Sequence, residues 1–215
     1  MQYIGLAVVV ALFAALVAFV ALRLLLGSAW LLGFVRGTLG LTILAFAGAI
    51  ALAAYEFSNF RPVPDQAPLA VVTFQAQGPD VYEAAVQVGD DRQTVLIEGQ
   101  RWQLHVRMLA WKHIADLIGL DAGYRPDALV GRYMTVEQQR LSRLEHADLA
   151  EHPFGLDVWA ALGLSERSLL VLDPRELRHS YMPLADGASF AIELMSTGLV
   201  VEPLNDQATR ALADW

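Results

Sequence analysis

The sequence predicts an α+β protein in which an N-terminal transmembrane helical hairpin precedes a mainly antiparallel, β-rich domain with short helices. Two observations support this class. Met1 to Tyr55 contains no Asp, Glu or Lys, and it holds two long apolar runs. Farther along the chain, apolar residues recur with a period of two, which is typical of strands. The predicted boundaries are residues 1–55 for the hairpin, 56–68 for an interfacial linker and 69–215 for the extramembrane domain.

The two apolar runs are the predicted membrane spans, at residues 4–22 and 38–55. Each is close to the roughly 20 residues that a helix needs to cross a bilayer. A short connection that holds Arg23 and Arg36 joins them. A cleaved signal peptide fits the first run less well, because the start has no basic residue and the run exceeds about 15 residues. A buried hairpin of a large soluble core is the other alternative, and the absence of acids weighs against it.

Alanines spaced by four residues occur in both spans, and small residues at this spacing let helix backbones approach closely. They predict packing between the two helices or, as an alternative, against a partner membrane protein. The candidate packing residues are Ala7, Ala11, Ala15, Ala45, Ala49 and Ala53. Neither predicted span holds an ionisable residue, which predicts an anchor and not an ion path.

Charge is distributed unevenly along the chain, whose net charge is −8. All 23 acidic residues lie from Glu56 onward with 13 of the 15 basic ones, which leaves that portion at −10. This acidity disfavours nucleic acid as a partner. Arg23 and Arg36 flank the connection between the spans, and only Arg61 follows the second span. The positive-inside rule therefore predicts a bacterial inner-membrane protein with this connection in the cytoplasm and the domain in the periplasm. The chain has no cysteine, which excludes disulfides and thiol chemistry.

The extramembrane domain begins with a run of strands after the proline-rich linker. Residues 69–75, 81–88 and 92–98 are predicted strands, and residues 101–108 alternate most clearly, so that four antiparallel strands form a meander. In the fourth strand, Trp102, Leu104, Val106 and Met108 are predicted to face a core, whereas Arg101, Gln103, His105 and Arg107 face water or a partner.

The remainder predicts short helices and a second β-rich section. The predicted helices are residues 112–120, 136–151 with Thr135 as N-cap, 155–164, and a C-terminal helix capped by Asn205. The predicted strands are residues 124–135, 169–172, 179–182, 189–194 and 199–202.

No catalytic, cofactor or metal motif is evident. The chain lacks the GxSxG, GxxxxGK[ST], GxGxxG and HExxH patterns, and Asp90-Asp91 suits a hairpin turn. The five histidines are predicted to be exposed or locally hydrogen-bonded, with a metal at His146, Asp148 and His152 as the alternative. We therefore predict no enzyme activity and no cofactor.

The most suggestive polar cluster is a basic strand face. Arginines gathered on one face of an acidic domain favour binding of a carboxylate, a phosphate headgroup or an acidic partner surface. The alternative is a solvated face whose arginines pair with neighbouring acids. The candidate recognition residues are Arg101, His105, Arg107, Arg125 and Arg132.

Three segments, together with the apolar spans, carry a resemblance to a known family. They are RWQLHVRMLAWK, YRPDALVGRYMTVEQQ and MPLADGASFAIELMSTGLVVEPLND. The chain resembles small gammaproteobacterial, pseudomonad-type membrane proteins that are often labelled cation or multidrug efflux pump proteins. The resemblance implies membrane association and a link to transport; it implies no site residues.

We therefore expect a non-enzymatic accessory protein that presents a periplasmic α+β domain to a larger membrane complex. Its expected partners are the lipid bilayer and another integral membrane protein or further copies of itself. The alternative is a membrane-tethered binding module for a lipid or amphipathic anionic ligand, and an enzyme is the third possibility. Two helices without an intramembrane charge do not suffice for a pump, since transporters build their sites from many helices.

Overall fold

A computed structural model describes residues 2–25, 30–64, 67–111, 121–150, 157, 159 and 172–215. The chain divides into a helical unit, Met1–Arg61 with Leu156–Leu162, and a β-rich unit, Pro62–Gly155 with Gly163–Trp215. The α+β class with mainly antiparallel sheets is confirmed. The described residues do not include the predicted helix at residues 112–120, the predicted helix at residues 155–164 apart from Asp157 and Trp159, most of the strand at residues 169–172, His113 or His152.

The helical unit contains α1 (Gln2–Leu25) and α2 (Trp30–Ser58). Both helices extend beyond the predicted spans. Arg23 lies in the last turn of α1 and Arg36 lies within α2, so the prediction that both arginines belong to the short connection between the spans is wrong. Arginine has a high helix propensity, and its long side chain reaches away from an apolar surface without a break in the helix.

Packing in the helical unit follows a different stripe from the predicted one. Ala11, Ala15, Ala45 and Ala49 are exposed, and Ala7 and Ala53 are only partly buried. The buried small residues are Ala14, Ala21, Gly40, Ala47 and Ala54. A strict spacing of four rotates by about 40° per step around a helix of 3.6 residues per turn, whereas a spacing of seven returns to nearly the same face. The heptad spacing of Ala14 and Ala21, and of Gly40, Ala47 and Ala54, therefore forms the buried stripe.

Large apolar side chains cover the outside of both helices. The described part of the chain contains one helix that is long and apolar enough to cross a membrane by length and composition, at Leu32–Ser58, and a shorter apolar helix at Ala7–Arg23. Only 17% of the apolar window in Leu32–Ser58 is buried. Phe13, Phe34 and Phe46 are among the exposed side chains.

The β-rich unit begins with a five-stranded antiparallel sheet, here called the first sheet. Its strands are β2 (Ala70–Gly78), β3 (Val81–Val88), β4 (Asp91–Glu98), β10 (Ser189–Met195) and β11 (Gly198–Pro203), in the order β11-β10-β2-β3-β4. Only β2, β3 and β4 form the predicted meander. The fourth predicted strand belongs to another sheet, so the four-stranded meander is wrong.

The second sheet is built around β5 (Arg101–Trp111), which pairs with β6 (Gly123–Arg132) on one side and β8 (Leu172–Arg178) on the other. Three short strands complete it: β1 (Arg61–Pro62) and β7 (His146–Asp148) pair with β6, and β9 (Met182–Pro183) pairs with β5. The predicted strand at residues 179–182 lies mostly in the gap between β8 and β9.

The chain turns from the first sheet into the second at Gly99, and Gly131 on β6 packs against this turn. A Cβ added to Gly131 would lie 2.1 Å from the carbonyl oxygen of Glu98, and one added to Gly99 would lie 2.6 Å from the backbone nitrogen of Arg132. Gly99 also has a φ of 145°. No other residue fits where two backbones approach this closely.

The core of the β-rich unit confirms the predicted alternation of β5. Trp102, Leu104 and Val106 are fully buried, and Met108 is nearly so. The rings of Phe74 and Phe190 lie 5.1 and 5.4 Å from the ring of Trp102, measured between centroids. These three aromatic side chains join residues of both sheets in one apolar cluster.

Two short helices flank the sheets. The helix α3 (Val136–Leu141) begins at the predicted N-cap Thr135 but ends ten residues before the predicted end. Tertiary contacts stop it: the Ser142 hydroxyl and the Arg143 amide donate to the Glu98 carboxylate, and residues 146–148 pair with β6. The helix α4 (Asp206–Ala213) begins at the predicted cap Asn205, whose side chain accepts from the amide of Ala208.

Candidate functional site: the polar face of the second sheet

The candidate recognition residues lie on two paired strands. The register places Arg101 opposite Arg132 and Arg107 opposite Arg125, with His105 opposite Ala128. Residues directly opposite each other in an antiparallel pair point to the same side of the sheet, so both arginine pairs project from the face opposite to Trp102 and Leu104. From the sequence, Arg101, His105 and Arg107 are predicted on one strand face, whereas Arg125 and Arg132 are linked to them only by proximity along the chain.

The Arg107–Arg125 pair is buried, and the prediction that Arg107 lies on an exposed face is therefore wrong. The Arg107 Nε lies 2.8 Å from Oδ1 of Asp127 in an ion pair, and only 8% of Arg107 and 6% of Arg125 is exposed. Asp127 is the inserted residue of a β-bulge, because the register shifts between His105 and Val106. This bulge brings a carboxylate to Arg107, and buried charges of opposite sign require such pairing.

The Arg101–Arg132 pair lies at the other end of the same two strands and has a different environment. Arg101 is half-buried and Arg132 is exposed. The guanidinium carbon of Arg101 lies 4.3 Å from the centroid of the Trp215 ring, and that of Arg132 lies 5.1 Å from the Tyr181 ring. Among the described residues, neither arginine forms an ion pair with an acid.

His105 lies between these pairs in a hydrogen-bonded chain. Its Nε2 meets Oε1 of Gln103 at 3.1 Å, and its Nδ1 lies 3.3 Å from the carboxylate of Glu176 on β8. Glu176 also pairs with Arg178 at 2.8 Å. Burial, and then the positive charge of Arg178, lower the pKa of His105, while Glu176 opposes this shift. His105 is therefore tied to its neighbours and does not project freely into solvent.

His179 has a structural role that the sequence does not reveal. Its imidazole is buried, and Nε2 accepts the amide of Leu104 at 2.9 Å while Nδ1 donates to the carbonyl of Ser180. The Gln103 side chain donates to the carbonyl of His179. The β5 ladder is interrupted between β8 and β9, and His179 satisfies the backbone there. Burial lowers its pKa to about 4, so the ring is neutral at pH 7.

The alternative metal site is not assembled by the residues that the structure describes. His146 and Asp148 do meet, at 2.9 Å, but both side chains are largely exposed. No group of three or more potential ligands occurs within the described ranges, and His152 lies outside them. The predictions that the chain is not an enzyme and binds no cofactor stay predictions.

Comparison of the chain with protein-family models, with curated proteins and with solved structures found no match. The family resemblance stays a prediction, and the function must be argued from the molecule itself.

Proposed function

We propose that the helical unit anchors this protein in a membrane and that the β-rich unit is the part it presents to a partner. The observation that carries this proposal is the inverted distribution of residues in α1 and α2: small side chains are buried, and Phe13, Phe34 and Phe46 are exposed. In water, exposing so many large apolar side chains on two adjacent helices is unfavourable by about 25 cal/mol per Å². In hydrocarbon it is the expected arrangement, because packing of small residues replaces the hydrophobic drive.

The same distribution argues against the helical core of a soluble protein. A buried core helix keeps most of its apolar surface away from solvent, whereas only 17% of the apolar window of α2 is buried. The two helices pack along alanine and glycine positions that recur every seven residues. They present no acid and no lysine between Gln2 and Tyr55, so the lipid-facing surface is free of charge apart from Arg23 and Arg36.

The proposed orientation follows from those two arginines. Both lie near the connection between the helices, whereas Arg61 follows α2. Positive-inside bias then favours a cytoplasmic connection and a β-rich unit outside the bacterial inner membrane. In this setting the protein acts as an accessory subunit that displays a recognition domain to a larger membrane complex, and the polar face of the second sheet is the surface available for specificity.

Two experiments test this proposal. The full chain is expected to stay in the membrane fraction after carbonate and high-salt washing, and its release would refute the anchor. Because the chain has no cysteine, Thr94→Cys on β4 or Ser28→Cys between the helices introduces a single thiol. A membrane-impermeant maleimide should label Thr94→Cys in intact cells and Ser28→Cys only after lysis. The reverse labelling pattern would invert the orientation while leaving the anchor intact.

A further inference from the structure

We propose that Arg101 and Arg132 form a binding site for a phosphate group, carried either by a free phosphate or by a lipid headgroup. This site does not depend on the membrane anchor, because both residues belong to the β-rich unit. The first step of the argument is charge. The register places two arginines directly opposite each other on paired strands, and like charges in such positions destabilise a sheet. Among the described residues, no acid lies within ion-pairing distance of either arginine.

The second arginine pair of the same two strands provides an internal comparison. Arg107 and Arg125 are also opposite each other, but a β-bulge places the Asp127 carboxylate against Arg107 at 2.8 Å. The fold therefore supplies an oxyanion to one arginine pair and leaves the other facing outward. Since the portion from Glu56 onward has ten more acids than bases, an arginine pair without an ion-paired acid is not the consequence of a shortage of acids.

The third step is preorganisation. The strand register fixes both Cα positions, Trp215 lies against the Arg101 guanidinium, and Tyr181 lies against that of Arg132. Stacked aromatic rings restrict a guanidinium plane without consuming its hydrogen-bond donors. In Arg101 the Nε–H is buried and has no hydrogen-bond partner in the described structure, so no acceptor already holds this nitrogen. Both forks thus keep their terminal donors for a ligand.

Phosphate fits this arrangement better than carboxylate does. Each guanidinium donates through a planar fork, and two forks require more than the two oxygens that a carboxylate offers. A phosphate monoester has three non-bridging oxygens, and all three are strong hydrogen-bond acceptors. Two positive charges also match a phosphate monoester dianion.

The test uses the full chain in micelles of an uncharged detergent. It is titrated by calorimetry with inorganic phosphate and, separately, with dihexanoyl phosphatidic acid. Saturable binding of inorganic phosphate assigns the site to free phosphates, and binding of the phosphatidic acid alone assigns it to lipid headgroups. Arg132→Gln should weaken whichever interaction is seen by at least about tenfold, because a charge-assisted contact is lost. Arg132→Lys, which keeps the charge without the fork, should give an intermediate loss.

The matched control is Arg92→Gln, since Arg92 is an exposed arginine on β4 of the first sheet. It should bind both probes like the wild type, and thermal unfolding should show that every variant is folded. Binding that is equal in the wild type and Arg132→Gln would overturn the proposal, as would no binding of either probe up to about 10 mM. Equal competition by acetate would overturn the assignment to phosphate.

Discussion

Acidification should destabilise the β-rich unit through His179. This imidazole is buried against Trp102, with 4.6 Å between the ring centroids, and it accepts the Leu104 amide through Nε2. Its pKa is lowered to about 4 from an ordinary value of 6.5, first of all by burial. Protonation would put a charge in an apolar site and replace the acceptor by a donor that faces the Leu104 N–H.

The sign and size follow from linkage. Between pH 6.5 and about 4 the unfolded chain binds a proton at His179 that the folded chain does not, so stability falls as the pH falls through this window. One pKa unit corresponds to about 1.4 kcal/mol, so His179 alone should cost about 2 kcal/mol at pH 5 and about 3 kcal/mol near pH 4. The pKa of His105 is lowered as well and adds a loss of the same sign.

The assay is urea unfolding of the full chain in an uncharged detergent, followed by tryptophan fluorescence at pH 7.5 and pH 5. His179→Gln should be less stable at pH 7.5 by about 1–3 kcal/mol, because a buried hydrogen bond is altered. Its further loss between the two pH values should be about 2 kcal/mol smaller than that of the wild type. His146→Gln is the control, since His146 is exposed. If the wild type and His179→Gln lose equal stability on acidification, the assignment of a buried neutral imidazole is refuted.

Three further predictions concern unfolding free energies of the β-rich unit. Arg107→Ala should cost about 3–5 kcal/mol because it removes the cation paired with the largely buried Asp127 carboxylate, whereas Arg132→Gln should change stability by no more than about 0.5 kcal/mol. Equal effects would contradict the different burial of the two arginines. Trp102→Ala should cost about 3–5 kcal/mol by urea unfolding, and a loss below about 1 kcal/mol would place Trp102 outside the core. Gly131→Ala should cost about 3 kcal/mol or more, since its Cβ would meet the Glu98 carbonyl at 2.1 Å, and wild-type stability would exclude that close approach.

Local patterns were sufficient wherever the determinants lie within a few residues. The alternation of Trp102, Leu104 and Val106 identified the buried side of β5, because side-chain direction in a strand has a period of two. Asn205 was recognisable as a cap since its side chain accepts from an amide three residues ahead. The short β2–β3–β4 connections likewise made these strands neighbours.

The end of α3 and the buried stripe of the two N-terminal helices could not be predicted from the sequence, because contacts between distant segments determine them. Residues 142–151 have the charged composition of a helix. In the structure, however, Ser142 and Arg143 donate hydrogen bonds to Glu98 on β4, and residues 146–148 pair with β6. The two helices show a related limit, because alanines occur at spacings of four and of seven. Only packing against the partner helix decides which spacing is buried. Here Ala14 and Ala47 are buried, whereas Ala11 and Ala45 are exposed.

In the candidate site, two residues that project from the same face of β5 differ in burial and in their partners. Arg101 and Arg107 have the same parity on β5, and each faces an arginine on β6. Pro126 cannot donate to a ladder, and the bulge beside it carries Asp127 to Arg107, so one pair becomes part of the buried structure. At the other end, the ladder between Arg101 and Arg132 is regular and aromatic rings flank the guanidinium groups. A single inserted residue thus separates a structural arginine pair from the pair proposed as a phosphate site.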